Sequence, residues 1–166
     1  ADTALSTKID RFYDLMQKEM VAKPKVVKNL DYLAKFISHA QNQNSVLMKE
    51  LERLNHNYTL DHHELETTRE FTEQLRNIET AYQKDVENIH SNDAVYTEVE
   101  ARQTRQIHDL TQIEKQQQEI NDSVAGLAKE EEQANQNLQQ FEFKLHSIRR
   151  EVENLNLPGV AKSYLD

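Results

Sequence analysis

The residues of this sequence best suited to chemistry are the paired histidines His62 and His63, which Glu64 and Glu66 follow. His62 and Glu66 stand four positions apart, which places both side chains on one face of a helix. A zinc site needs a third ligand, and the HExxH pattern is absent. A helix that starts at Asp61, with acidic residues near its positive end, explains the same residues. We therefore predict no metal site here, with a metal-binding or enzymatic domain centred on His62, His63 and Glu66 as the alternative.

The other candidates for catalysis lack the surroundings that catalysis needs. Each of the histidines His39, His108 and His146 is isolated, and we assign them no function. The triplet Glu130-Glu131-Glu132 could act as an acid–base pair only in a cleft that separates two pKa values. The chain has two glycines and no cysteine, which excludes a glycine-rich phosphate loop, a thiolate metal site and a cysteine nucleophile. We predict no enzyme activity, no catalytic or cofactor-binding residue and no cofactor.

The charge balance also limits the partners. The formal net charge is −9, whereas binding to nucleic-acid phosphates needs a concentrated basic stripe. No run of about 18 apolar residues is present to span a bilayer, and the first residues do not contain the hydrophobic region of a signal peptide. We expect a cytoplasmic fragment that does not bind nucleic acid. Acidic residues interleave with the one lysine cluster, which consists of Lys8, Lys18, Lys23, Lys25 and Lys28.

The first half of the chain carries a heptad seam, meaning apolar residues spaced alternately four and three positions apart. Such a seam predicts a long helix that packs side by side with others. Pro24 lies within it and predicts a kink or a short break, because proline lacks an amide donor and clashes with the preceding turn. The seam comprises Leu5, Ile9, Phe12, Met16, Glu19, Lys23, Val26, Leu30, Leu33, Ile37, Ala40, Asn44, Leu47, Leu51 and Leu54.

A second helix is predicted from Asp61 to about His90, after turn-forming residues at 55–61. Its seam has Asp85 as the odd member, for which Val86 is expected to substitute one position on. The other members are Thr68, Phe71, Leu75, Ile78, Tyr82 and Ile89.

Ser91-Asn92-Asp93 predicts a turn and helix cap, after which a third seam begins. The seam keeps its phase through residues 121–126, so we predict one helix from about Asp93 to Asn156, with a hairpin near residue 122 as the alternative. Pro158 and Gly159 would end it. The seam comprises Val99, Gln103, Gln106, Leu110, Ile113, Gln117, Ile120, Val124, Leu127, Glu131, Ala134, Leu138, Phe141, Leu145, Ile148, Val152 and Leu155.

Three such helices joined by short turns predict an all-α fold, a spectrin-like antiparallel three-helix repeat with long shared helices that forms an elongated rod. Residues 1–22 would end a preceding repeat, 23–121 would form the central repeat, 122–157 would extend into the next one and 158–166 would begin another element. The polar seam residues Asn44, Gln103, Gln106 and Gln117 would either fix the register of the helices or lie at the solvent edge.

Several short runs resemble the septation ring formation regulators of the EzrA family, and the resemblance spans nearly the whole chain. The motifs are low in chemical specificity, and their order and spacing carry the resemblance. They are Ile9-Asp10-Arg11-Phe12-Tyr13-Asp14, Glu19-Met20-Val21-Ala22-Lys23, the stretch 54–60, Ile148-Arg149-Arg150 and Leu157-Pro158-Gly159.

The resemblance implies a bacterial cell-division protein of the Gram-positive lineage that restrains assembly of the FtsZ ring and acts as a scaffold at the septum. It further implies a location on the cytoplasmic side of the membrane, FtsZ and other division proteins as partners, and an N-terminal membrane anchor outside this chain. The resemblance is also compatible with self-association. The heptads alone are equally typical of a cytoskeletal or tethering coiled coil that dimerises through its seam.

Overall fold

The computed structural model describes residues 2–57 and 62–155, and all regular structure within them is helical. Helix α1 spans Asp2–Asn57 and helix α2 spans His62–Ser91. A short 3-10 helix, Asp93–Val95, leads into helix α3, Tyr96–Asn154. The predicted all-α class is therefore confirmed.

The connection between α2 and α3 follows the predicted cap. The side chain of Asn92 accepts a hydrogen bond at 2.9 Å from the backbone amide of Ala94, which satisfies a donor at the start of the helical segment. Helix α3 then continues through Asn121, Asp122, Ser123 and Gly126, which confirms one helix and rules out the hairpin. Asp61, Pro158, Gly159 and the predicted element at 158–166 lie outside the described residues.

Helix α1 runs through Pro24, so the short break predicted there is absent. A proline inside a helix costs about 3 kcal/mol, because one backbone hydrogen bond is lost and the ring crowds the carbonyl of residue i−4. The bend that was the other expectation at this position stays a prediction. Immediately beside Pro24, Ala22 and Val26 are fully buried, so tertiary packing offsets part of this cost.

The chain divides into two units, Ala1–Asp122 and Ser123–Asp166. In the first unit, α1 and α2 are antiparallel, because contacts early in α1 pair with contacts late in α2. The hydroxyl of Tyr82 donates to the carbonyl of Leu30 at 3.0 Å, and the amide of Asn44 donates to the hydroxyl of Thr72 at 2.7 Å. These contacts hold α1 against α2 over several turns.

Helix α3 is parallel to α1 in the same unit. The amide of Gln103 donates to the carbonyl of Val26 at 3.1 Å, and the amide of Gln117 donates to the carbonyl of Ala40 at 3.0 Å. The first unit is thus a three-helix bundle in which α2 runs opposite to its two neighbours.

The core of the bundle follows the predicted seams, with local departures. At the start of the bundle Ala22 is buried where the seam predicted Lys23, which is exposed. Leu65 and Tyr96 are buried although neither belongs to a predicted seam. The buried apolar residues of the first unit are Ala22, Val26, Leu33, Ile37, Ala40, Leu47, Leu51, Leu54, Leu65, Phe71, Leu75, Tyr96, Val99, Leu110, Ile113 and Ile120.

Two helical stretches carry apolar side chains that nothing in the described residues covers. In the first unit this is the N-terminal stretch of α1, residues 3–21, where the exposed apolar residues are Leu5, Ile9, Phe12, Tyr13, Leu15, Met16, Met20 and Val21. In the second unit it is the stretch 138–155, at the end of α3 and one residue beyond it, where they are Leu138, Phe141, Phe143, Ile148 and Leu155.

Candidate functional site: the polar interior of the bundle

Most of the histidine and carboxylate candidates whose side chains are described lie on the surface. The side chains of His63 and Glu66 are exposed, and the side chain of His62 lies outside the described residues. His39, His108 and His146 are exposed, as are Glu130 and Glu132. Within residues 2–57 and 62–155, no three histidine or carboxylate side chains come together as metal ligands would.

The unusual chemistry of this structure is inside the bundle. Asn44 is 3% exposed, and its amide donates both to the backbone carbonyl of Thr68 at 3.2 Å and to the hydroxyl of Thr72. Beside them the amide of Gln41 donates to the carboxylate of Glu79 at 2.6 Å. One polar residue of α1 thus binds both the backbone and a side chain of α2, which ties the two helices at a fixed axial position.

A second polar set joins α3 to α1. Gln103 and Gln117 are essentially inaccessible, and each donates to a backbone carbonyl of α1, while the amide of Asn29 donates to the side-chain oxygen of Gln103 at 3.4 Å. The two acceptors, Val26 and Ala40, have the same spacing as the two glutamines. The solvent-edge interpretation of the seam glutamines is therefore wrong. The matched spacing gives α1 and α3 the same register at both points.

Asp85 and Arg102 form an ion pair in which the carboxylate is buried and the guanidinium is half-buried. Asp85 is 3% exposed, and one of its oxygens accepts from the guanidinium of Arg102 at 2.8 Å and 2.6 Å. The hydrogen bond to Asp85 raises the pKa of Arg102, and the charge of Asp85 adds to this effect. The prediction that Val86 substitutes for Asp85 is wrong, because Asp85 occupies the buried position and Val86 is only half-buried. The sequence carried no sign of Arg102 as its partner.

Gln106 differs from the other buried glutamines. It is 6% exposed, and its side-chain nitrogen and oxygen both lack a hydrogen-bond partner among the described residues. A buried amide without partners loses its hydration and gains nothing in return.

We expect Gln106→Met to raise the free energy of unfolding by about 1 kcal/mol, because methionine keeps the volume and removes two unpaired polar atoms. The matched control is Gln103→Met, which removes the bonds to Val26 and Asn29 and is expected to lower the free energy by about 1 kcal/mol. Urea unfolding followed by circular dichroism measures both. Equal changes in the free energy of unfolding would contradict the conclusion that Gln103 is hydrogen-bonded and Gln106 is not.

No helix in the described part of the chain is long and apolar enough to cross a membrane.

Comparison with known proteins gives consistent results. The family model "Septation ring formation regulator, EzrA" matches residues 1–166. The septation ring formation regulator EzrA of Lactiplantibacillus plantarum is 48% identical over 163 residues, which is 98% of this chain and 28% of that protein. The protein of the same name from Enterococcus faecalis is 37% identical over 166 residues, 99% of this chain and 28% of that protein. The chain thus spans about 28% of the length of these relatives. No solved structure matches the chain significantly.

Proposed function

This chain belongs to the EzrA family of septation ring formation regulators, and we propose that it is a non-catalytic, spectrin-like segment of such a regulator. In this proposal the whole protein restrains assembly of the FtsZ ring and serves as a scaffold at the division septum. It works on the cytoplasmic side of the membrane, to which an anchor outside this chain holds it. The observation that carries the proposal is the family match over the entire chain.

The three-helix bundle supports the spectrin-like part of the proposal. Within the bundle, the seam residues are buried between the three helices. Leu33, Leu47 and Leu110 are inaccessible and leave no apolar seam there for a second copy. This disfavours a coiled coil that dimerises through the same residues. Hydrogen bonds at Asn44 and Gln117 hold the helices at fixed axial positions, as a spacer of constant length needs.

The domain limits are part of the same proposal. Residues 23–121 would form the central repeat, 1–22 would complete a preceding repeat and 122–157 would enter the following one. The N-terminal stretch supports this for the first limit, since Tyr13, Leu15 and Met20 widen its exposed apolar face beyond a single seam. A face of that width fits two partner helices better than one.

A sedimentation experiment with FtsZ tests the function. The complete cytoplasmic region of the regulator is mixed with FtsZ and GTP, and the pelleted polymer is measured. We expect less polymer than with FtsZ alone, and recovery of polymer when Leu75→Ala and Leu110→Ala together disrupt the bundle. The matched control carries Val27→Ala and Val46→Ala at exposed positions of the bundle and should still reduce the pellet.

Two results would contradict the proposal. An unchanged pellet with the unmodified region would remove the control of FtsZ. A disrupted bundle that reduces the pellet as strongly as the unmodified one would show that this segment takes no part in that control.

A further inference from the structure

Pro24 stands at the point of α1 where packing begins. Met20, on its N-terminal side, is 72% exposed, whereas Ala22 is 1% exposed and Val26 is inaccessible. The N-terminal stretch of α1 therefore meets the bundle within one turn of a residue that weakens the helix. A bend in α1 would be concentrated at this position.

The residues that flank Pro24 on both sides are already held against the bundle. Ala22 and Val26 form a buried cluster with Tyr96 and Val99 of α3. The ammonium of Lys23 lies 5.6 Å from the ring centroid of Tyr96, within the range of a cation–π contact. This cluster holds α1 from Ala22 onward, while no described side chain covers the exposed apolar residues of α1 that precede Ala22.

The position of Pro24 around the helix gives the bend a direction. Pro24 is exposed and stands two residues from both Ala22 and Val26, which at 3.6 residues per turn places it opposite the buried face. The proline ring crowds the carbonyl of Met20 and leaves it without its helical amide donor. A proline opens a helix on its own side, so a bend at Pro24 would be directed toward the opposite, buried face.

We propose that Pro24 is a directional hinge, at which the N-terminal stretch of α1 bends toward the end of the bundle where α2 connects to α3. The hinge sets the angle between the N-terminal stretch of α1 and the rest of the bundle. This inference stands on the packing around Pro24 and does not depend on the proposed control of FtsZ.

Distance measurements between spin labels test the hinge. The chain contains no cysteine, so Lys8→Cys and Glu87→Cys give one labelled pair without background. Position 8 lies about 24 Å along the helix from Pro24, so a bend of about 20° moves it sideways by about 8 Å. We expect Pro24→Ala to lengthen the mean distance between the labels by several ångströms and to narrow its distribution.

The control pair is Lys49→Cys with Glu87→Cys, both within the bundle, and its distance should not respond to Pro24→Ala. Identical distributions at the first pair with and without proline would overturn the hinge. An equal shift at the control pair would also overturn it, because the change would then lie inside the bundle.

Discussion

Leu110→Ala is expected to lower the free energy of unfolding of the bundle by about 2–5 kcal/mol, one of the two largest effects of any single change proposed for this chain. Leu110 is inaccessible at the middle of the α3 seam, among the largest fully buried side chains. Truncation removes buried apolar surface and leaves a cavity that three packed helices cannot readily close. Urea unfolding monitored by circular dichroism measures the change.

Leu138→Ala is the matched control, since Leu138 holds the same seam in the same helix but is 56% exposed. We expect a change of at most about 0.5 kcal/mol, as for most surface substitutions. Equal losses of stability at the two positions would show that α3 is packed along its whole length, contrary to the exposure of Leu138.

Leu110 and Leu138 show which features of the fold the heptad pattern predicts and which it does not. The heptads correctly predicted three helices, a continuous α3 and most of the bundle core, because period and phase depend on the chain alone. They also predicted a seam at Leu5, Phe12 and Leu138, where the side chains are exposed in this chain. A seam shows that a residue is suited to a partner helix, but it does not say which chain segment supplies that helix.

Departures in the core have local physical causes. Tyr96 lies directly after the 3-10 helix and covers Ala22 and Val26, a contact that depends on how the α2–α3 connection closes. The burial of Ala22 in place of Lys23 accompanies that contact, and Lys23 instead lies over the ring of Tyr96. Heptad counting contains no information about such a cap.

The sequence predicted which polar residues are buried, but it did not predict the contacts that they make. The seam placed Asn44, Gln103 and Gln117 among buried residues, which the structure bears out. Which backbone carbonyl each amide reaches depends on the axial offset between helices, which no single helix contains. The same limit hid the partner of Asp85, because Arg102 lies outside the seam on a different helix.

Arg102→Met is the second change with a large expected effect, a loss of about 3 kcal/mol in the free energy of unfolding, because it leaves a buried carboxylate without its cation. Asp85 is 3% exposed, and its second oxygen lacks a hydrogen-bond partner within residues 2–57 and 62–155, so Arg102 supplies the main compensation for its charge. Methionine keeps much of the packing of the arginine stem, which confines the change to the charge and its hydrogen bonds.

Two further variants separate the charge from the packing. Arg105→Met removes an exposed arginine from the same helix and should change stability by at most about 0.5 kcal/mol. Arg102→Met combined with Asp85→Leu removes both charges and should recover most of the loss, because an apolar pair of similar volume is often as stable as a buried ion pair. A single Arg102→Met variant as stable as Arg105→Met would contradict this account, since a buried carboxylate would then tolerate the loss of its partner. A double variant no more stable than Arg102→Met would assign the loss to packing.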